Sequence, residues 1–378
     1  MEHKLPPAGL IQREPGLQIL RLSGSPVRLG QAHGHLLAAQ IRRLRREFLR
    51  YLGRLSLGVG ALPLYLLACL SAWRFRPFIP LSLWEEMQAI AQGAGVHVSF
   101  ILFVNVLDDL LNNVPRCSTF AAPLWQKKPA TFILARNLDY PLFAETMCRY
   151  NTILLLWPTD GQPFVSVGWP GYIGVCTGMN RSGVALAQLT AATNDLSLAG
   201  VPAALRNRLA LQHHQTVLEV AARIASLPGT LGANLMLTSP HEALLLEISA
   251  RHRQVRLPQD GTLTATNHYQ SPGMQPWQGQ DFRRPPLSPL ESYRFSSEYS
   301  LARNQRLQEL LHAQSVDISR ARQILGDPVI ANPCDINSVV FDTAAAELYI
   351  AQGLNPPVSQ QGRWRRLSGL FTPQPAIA

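Results

Sequence analysis

The sequence predicts an α+β protein in which a helical part precedes a part rich in strands. After a short strand pair predicted at residues 16–30, helices are predicted up to residue 111, with apolar residues at helical spacing between Leu37 and Leu52. From residue 117 onward the apolar runs are short, and Gly, Pro and Asn separate them, which is typical of strands. An apolar content of 47% lets a chain of this length bury a large core. Helices and strands segregated in this way predict an α+β fold.

The first long helix is amphipathic and basic. Between residues 42 and 54 a single acid, Glu47, stands among six arginines: Arg42, Arg43, Arg45, Arg46, Arg50 and Arg54. Such a helix suits an anionic membrane surface, and a solvated cationic face explains the pattern equally well. Nucleic acid is not expected as a partner, because no recognised binding fold accompanies the charge.

The stretch Leu55–Trp73 carries no charge over 19 residues, which reaches the length of a membrane span. Gly58, Gly60 and Pro63 interrupt it. We therefore favour a helical hairpin, buried in the domain or dipping into a bilayer surface, over a true span.

Two further helices are predicted before the strands begin. The first covers Leu81–Val96, with Ser82 as its N-cap and Gly93 or Gly95 at its end. The second covers Ser99–Leu111.

Five cysteines, an odd number without a CxxC pair, do not suggest a disulfide framework. Residues 1–20 show no apolar core behind a basic start, so no secretory signal is expected. We predict a cytoplasmic protein that can be held peripherally on a membrane. No cofactor is expected, and no metal, since the pair His213–His214 lacks further ligands at suitable spacing.

The strand-rich part begins with Cys117, directly after a loop that ends at Arg116. A polar turn at residues 126–129 predicts a hairpin that returns Arg136 and Asp139 to the neighbourhood of the cysteine. A cation and a carboxylate beside a thiol are the surroundings of a nucleophilic thiolate. Taken alone, however, a cysteine such as Cys117 is more often a small buried apolar residue than a nucleophile.

Three features stand out further along the chain. A long aromatic loop at residues 271–298 is a candidate lid, with Trp277 and Phe282 as substrate-binding residues. A helix over Ser300–Ala313 carries Arg303 and Arg306. The tail at residues 355–378 is basic and Pro-rich, and we expect it to be flexible.

Several short motifs follow one another in an order that resembles a known enzyme group. They are Cys117, Arg136-Asn-Leu-Asp139, Gly178-Met-Asn180-Arg-Ser-Gly183, Ala265-Thr-Asn267-His-Tyr269 and Arg303. This order resembles the N-terminal-nucleophile hydrolases of the choloylglycine hydrolase, acid ceramidase and penicillin acyltransferase group. The likeness is greatest to the acyl-coenzyme A:6-aminopenicillanic acid acyltransferase branch.

The resemblance implies a four-layer αββα sandwich and a precursor that cuts its own chain between Arg116 and Cys117. Residues 1–116 would form a helical α-segment, which would carry any membrane affinity and stay bound to a catalytic β-segment at residues 117–354. An arginine at position 116 departs from the small residue that the group's pattern leads us to expect.

The resemblance also implies a role for each site residue. Asp139 would hold the new α-amine, and Arg136 would lie near the thiolate. Asn180 and Asn267 would form the oxyanion hole, although an asparagine before a glycine-containing turn is also common turn chemistry. Arg303 would complete the ionic network, with Arg306 as its rival.

Two activities share this machinery. One is hydrolysis of an N-acyl amide with a lipid-like acyl chain through a Cys117 thioester, and the other is transfer of an acyl group from an amide or thioester donor to an amine. A non-enzymatic membrane-surface protein is the third alternative.

Overall fold

The structure is a computed structural model that describes residues 9–55, 60–111, 116–141, 143–279 and 297–372. The strands of this part of the chain are β1 (Gly9–Glu14), β2 (Leu17–Gly24), β3 (Arg116–Leu124), β4 (Thr131–Asp139), β5 (Thr152–Pro158), β6 (Phe164–Gly168), β7 (Thr177–Asn180), β8 (Ala185–Thr190), β9 (Ala233–Thr238), β10 (Ala243–Ile248), β11 (Arg253–Arg256), β12 (Leu263–Ala265), β13 (Asp335–Asp342), β14 (Glu347–Gln352) and β15 (Arg363–Leu367).

The α-helices of the same residues are α1 (Pro26–Leu36), α2 (Ala38–Leu55), α3 (Ala61–Ala72), α4 (Leu81–Ala94), α5 (Val98–Leu111), α6 (Ala144–Arg149), α7 (Ala203–His213), α8 (Val217–Ser226), α9 (Ser297–Ala313), α10 (Ile318–Leu325) and α11 (Val358–Gln361). Short 3₁₀ turns cover Trp73–Phe78 and Gln275–Trp277.

The strands form two sheets. The larger has the order β1-β2-β5-β6-β7-β8-β9-β10-β11, and the smaller has the order β12-β3-β4-β13-β14-β15. One hydrophobic core lies between them, with Leu134 and Val339 from the smaller sheet and Val165 and Met179 from the larger. Two sheets packed face to face are the inner layers of the sandwich.

Helices cover both outer faces. A second core joins the larger sheet to α1–α5, α7 and α8, whereas a third joins the smaller sheet to α9 and α10. The order helix, sheet, sheet, helix is the four-layer αββα sandwich that the resemblance implies, and the predicted fold class is confirmed.

Glycines set the close packing of α1 on α4. A Cβ at Gly30 would stand 2.3 Å from the carbonyl oxygen of Glu86, and one at Gly34 would stand 2.4 Å from that of Ile90. No side chain fits at these distances, so the two helix backbones meet directly. This contact explains why two glycines stand four residues apart in α1.

The helical part differs from expectation in its details. Helix α4 begins at Leu81 behind Pro80, so Ser82 is not its N-cap, and the helix ends at Gly95 with φ 66°. Proline is favoured at a helix start because its fixed φ suits the first turn. The stretch Leu55–Trp73 was expected to form a helical hairpin of its own, but its described part holds one helix, α3, which packs against the preceding helix α2. Residues 56–59 lie outside the described residues.

No helix in the described ranges is both long and apolar enough to span a bilayer.

The tail also differs from expectation as far as residue 372. Strand β15 pairs along β14, and Arg366 lies 2.5 Å from Glu347 while Arg365 lies 2.7 Å from Glu14. Two of the arginines that suggested a loose basic tail therefore form ion pairs that bind the tail to the rest of the fold. Residues 373–378 lie outside the described part.

Candidate active site

Cys117 lies where the β3–β4 hairpin brings three of the predicted residues together. In the antiparallel register Arg116 pairs with Asp139, Cys117 with Leu138 and Thr119 with Arg136. The Cys117 side chain points into the core between the sheets and is fully buried. Three polar side chains each form a hydrogen bond with a different atom of Cys117: its sulfur, its backbone nitrogen and its carbonyl oxygen.

Arg136 holds the sulfur. Its Nη2 donates to Cys117 Sγ at 3.3 Å, while Nη1 donates to the carbonyl oxygen of Cys176 and to Thr177 Oγ1. The two bonds to β7 and its approach fix the plane of the guanidinium. A fixed cation beside a sulfur favours the thiolate form.

Asn267 and Arg303 hold the nitrogen and the carbonyl of the same residue. The Cys117 backbone N–H donates to Asn267 Oδ1 at 2.9 Å, and Arg303 Nη2 donates to that oxygen at 2.8 Å. Arg303 Nη1 donates to the Cys117 carbonyl oxygen at 2.8 Å and lies 3.6 Å from a carboxylate oxygen of Asp139. The backbone nitrogen therefore lies in a polar setting distinct from that of the sulfur.

Burial raises the pKa of the Cys117 thiol above its ordinary value. The charge of Arg136 opposes this shift, the charge of Asp139 adds to it, and hydrogen bonds from the Arg136 side chain and the Asp139 backbone lower the pKa again. Since burial is the largest cause and raises the pKa further above neutral, the Cys117 thiol is protonated at neutral pH in this structure.

Helix α9 supplies two of the anchoring groups one turn apart. Ser300 Oγ accepts a hydrogen bond from the Asn267 backbone N–H at 2.9 Å, and Arg303 reaches the cysteine. Arg306 instead pairs with Asp327 at 2.9 Å and with Glu309 at 3.2 Å. Of the two rival arginines, only Arg303 lies in the cluster.

Asn180 is not part of the hydrogen-bonded cluster around Cys117. Its Nδ2 donates to the carbonyl oxygens of Leu211 and His214, both at 2.9 Å, and its Oδ1 accepts from the Val184 backbone at 3.0 Å. Both of its amide protons are thus used in holding the β7–β8 turn to the end of α7. This arrangement favours turn chemistry for Asn180 over the oxyanion role that the resemblance implies.

Asn267 also differs in part from its expected role. Its Nδ2 donates to the Thr190 carbonyl oxygen at 2.7 Å, and its Oδ1 accepts from Cys117 and Arg303. This geometry orients the backbone nitrogen of Cys117 rather than presenting an amide donor to an oxyanion.

Two adjoining cavities lead from Arg136 toward the helical layer. The inner cavity is lined by Arg136, Asp108, Gln188 and Thr190 among other residues, and the outer one is almost wholly apolar. Both are lined by Val104, Leu107, Tyr140, Met147, Trp169 and Tyr172. The outer cavity ends against Leu44, Glu47 and Phe48 of α2.

Asp108 and Tyr140 were not singled out from the sequence, yet both line the inner cavity. Tyr140 donates to Asp108 Oδ1 at 3.2 Å, and burial raises the pKa of Asp108 to about 6. Asp108 is an acid within an apolar helix pattern, and a charge that interrupts such a pattern is a usable signal. Tyr140 directly follows Asp139 but belongs to no motif.

The predicted substrate-binding residues lie elsewhere or outside the described part. Trp277 stacks on His252 with ring centroids 3.7 Å apart and packs against a small apolar cluster of Ala191, Tyr269 and Met274. It does not line the two cavities. Phe282 and most of the candidate lid lie outside the described residues, as does the side chain of Arg116.

Within the described ranges, no group of three or more His, Cys, Asp and Glu side chains is arranged to hold a metal ion. Arg136 and Arg303 are cations that contact Cys117 directly, one at the sulfur and one at the carbonyl oxygen.

The sequence model of the acyl-coenzyme A:6-aminopenicillanic acid acyl-transferase family matches residues 125–345, more than half of the chain. The matched range contains Arg136, Asp139, Asn267 and Arg303, whereas Cys117 lies just before it.

Curated relatives include an uncharacterised protein of Archaeoglobus fulgidus, 25% identical over 45% of this chain and 32% of its own length. Protein dcd1A of Dictyostelium discoideum is 23% identical over 65% of this chain and 61% of its own. The chain thus spans between about a third and three fifths of the length of these relatives.

Two solved structures are similar at lower levels. One is a Caenorhabditis elegans ortholog of N-acylethanolamine-hydrolyzing acid amidase, with a TM-score of 0.44, 15% identity, and coverage of 61% of this chain and 96% of that one. The other is a mutant of the conjugated bile acid hydrolase from Clostridium perfringens, with a TM-score of 0.42, 13% identity, and coverage of 66% and 92%. By the match over residues 125–345, the chain belongs to the acyl-coenzyme A:6-aminopenicillanic acid acyl-transferase family.

Proposed function

We propose that this protein is a self-processing cysteine amidase that hydrolyses N-acyl amides through a thioester on Cys117. One observation carries the proposal. Separate side chains contact the nitrogen and the sulfur of the same residue: Asn267, itself bonded by Arg303, accepts from the nitrogen, and Arg136 donates to the sulfur. An enzyme that uses both atoms of one residue, the thiol as nucleophile and the amine as base, needs this division.

The proposed maturation begins in the uncut chain. The Cys117 thiol attacks the carbonyl carbon of Arg116, and the acyl group moves from nitrogen to sulfur, which frees the α-amine of Cys117. Water then hydrolyses the thioester and leaves a carboxylate on Arg116. The α-segment 1–116 would stay bound to the catalytic segment 117–354, since α1–α5 share a core with the larger sheet.

In the mature enzyme the new α-amine serves as the base. A free α-amine has a pKa of roughly 7.7–8.0, so it accepts the thiol proton near neutral pH. Asn267 already accepts a hydrogen bond from this nitrogen, and Asp139 would balance its positive charge through the Arg303 network. Arg136 would stabilise the thiolate as it attacks the substrate carbonyl. The amine product leaves, and water releases the acyl group.

The adjoining cavities support an apolar acyl chain as the substrate's larger half. They connect Arg136 to the apolar outer cavity beneath α2. The chain would lie along Val104, Leu107 and Trp169. We further propose that Trp277 and Phe282 belong to a cover over the other side of the reacting carbonyl, because Trp277 packs against the cluster that contains Ala191, the residue after Thr190 of the inner cavity.

Acyl transfer to an amine is the second candidate. Membership of an acyl-transferase family supports it, and the same Cys117 thioester would serve both reactions. The difference lies only in whether water or an amine attacks that thioester. Adding a primary amine during turnover and measuring the ratio of new amide to free acid distinguishes the two.

A series of N-acyl amides that differ only in chain length tests the substrate class. Each methylene buried in the cavity contributes about 0.8 kcal/mol, so kcat/KM should rise about fourfold per methylene until the cavity is full. A flat profile, or highest activity on short polar acyl groups, would contradict a lipid-like acyl chain.

A pair of variants on α5 locates the chain. Leu107→Phe narrows both cavities and should move the optimum to a shorter chain, whereas Leu110→Phe, one turn further on and outside their lining, should leave the optimum unchanged. Equal profiles for the two variants would place the acyl chain elsewhere.

A further inference from the structure

Helix α3 presents a continuous apolar face to solvent. Leu62, Leu66, Leu67 and Leu70 are between 51% and 67% exposed, and the stripe continues to Trp73. Their spacing puts them on one side of the helix, while Tyr65, Cys69 and Ala72 face the core on the other. Single exposed leucines are ordinary on protein surfaces, but a contiguous set on one helix indicates a binding surface.

The helix is too short to cross a bilayer. Its 12 residues extend about 18 Å, against a hydrocarbon thickness of about 30 Å. A helix of this kind is suited to lie in the boundary between headgroups and acyl chains.

The neighbouring helix α2 is strongly basic. Arg42, Arg43, Arg46, Arg50 and Arg54 are exposed along it. Its single acid, Glu47, is engaged by Arg43 at 3.1 Å and by Thr146 at 2.6 Å. Helices α2 and α3 pack on each other, so the apolar stripe and the arginines form one surface of the molecule.

We propose that this α2–α3 surface docks on an anionic lipid bilayer, with the leucines of α3 among the acyl chains and the arginines of α2 at the headgroups. Charge complementarity selects this partner. A second copy of the chain would bring two rows of arginines near each other, whereas anionic headgroups attract them. The docking itself does not depend on the proposed function.

The position of the cavities adds a consequence that does depend on it. Leu44, Glu47 and Phe48 of α2 form the outer end of the apolar cavity. A bilayer against α2 and α3 therefore lies beside that end, where an acyl chain can pass from the membrane toward Arg136.

Flotation of the purified full chain with vesicles tests the docking surface. Vesicles of phosphatidylcholine with phosphatidylglycerol should carry the protein upward at low salt, whereas pure phosphatidylcholine vesicles should bind it at least about tenfold more weakly. Raising the salt to about 1 M, where the screening length falls to about 3 Å, should release it. Equal binding to both kinds of vesicle would overturn the role of the arginines.

Matched variants test the two halves of the surface. Leu66→Ser with Leu70→Ser should weaken anionic vesicle binding at least about tenfold, whereas Leu218→Ser with Leu257→Ser, equally exposed elsewhere, should leave it unchanged. Arg46→Gln with Arg50→Gln should weaken the affinity for anionic vesicles about fivefold per arginine at low salt. Arg181→Gln with Arg363→Gln should leave that affinity unchanged.

Binding that survives both α2–α3 variants would refute the proposal, and so would a dimer that the leucine variant dissociates in the absence of lipid. Hydrolysis of a short water-soluble amide, measured in the same variants, shows whether the catalytic centre is intact. A failure of docking is thus distinguished from a failure of the proposed function.

Discussion

The centre around Cys117 and the turn around Asn180 both place an asparagine side chain in a hydrogen-bond network, yet the two networks differ in what they hold. At the centre, Asn267 bonds to Cys117, Arg303 and Thr190, which belong to three separate parts of the fold. At the turn, Asn180 bonds to Val184, Leu211 and His214, all of them backbone groups of a turn and a helix end.

The difference shows how to separate a functional asparagine from a structural one. Two of the Asn180 bonds satisfy buried backbone groups, the Val184 N–H and the Leu211 carbonyl oxygen, which is a sufficient reason for the residue. Asn267 instead shares its oxygen between a charged arginine and the nitrogen of a potential nucleophile. An asparagine whose partners include groups that can react or carry charge is the better candidate for catalysis.

Replacing Asn267 should have the larger effect on activity. In Asn267→Ala the nitrogen of Cys117 loses its acceptor, so the thiol and the base lose their relative placement. Misplacement of reacting groups by about 1 Å can cost about 10²-fold, and we expect kcat/KM to fall by about that factor. The measurement is steady-state kinetics on a medium-chain N-acyl amide, with the cleaved fraction of each preparation determined beforehand.

Asn267→Asp is the informative companion to that variant, because it keeps the accepting oxygen. It should retain more activity than the alanine variant. A loss of less than about threefold in Asn267→Ala would show that the two networks do not differ in function.

Replacing Asn180 should reduce stability and leave the activity of the folded enzyme unchanged. Asn180→Ala removes the hydrogen-bond partners of the Val184 N–H and the Leu211 carbonyl oxygen, whereas the His214 carbonyl oxygen keeps its bond from Gln162. Each unsatisfied buried group costs about 1–3 kcal/mol, partly relieved by water at the nearby surface. We expect the free energy of unfolding in urea to fall by a few kcal/mol. The value of kcat/KM per folded molecule should stay within about threefold of the unaltered protein, and a loss of about 10²-fold with unchanged stability would return Asn180 to the oxyanion role.

The sequence predicted the centre well where the interactions are local. The β3–β4 hairpin needs only two apolar runs and a polar turn, and its register then brings Arg136 and Asp139 to Cys117. The choice of Arg303 over Arg306 could not be made from the sequence. The two lie on the same helix, α9, and only its packing against β3 and β12 decides which one faces inward.

Other features depend on contacts between distant segments. The cavities take residues from α5, β4 and the loop before β7, which lie far apart along the chain. No local pattern marks Asp108 and Tyr140 as neighbours. The tail was predicted to be loose because it is rich in arginine and proline, whereas acids on β1 and β14 fasten its strand β15.

The most direct test of the central claim is the intact mass of the purified protein, compared with that of Cys117→Ala and Cys148→Ala. Cys148 is a buried cysteine outside the cluster and serves as the matched control. The account predicts fragments of about 13 and 29 kDa from the 41.8 kDa chain and from Cys148→Ala, the larger beginning Cys-Ser-Thr-Phe, whereas Cys117→Ala stays whole. A catalytically active protein that remains one uncut chain, or cleavage that persists in Cys117→Ala, would contradict it.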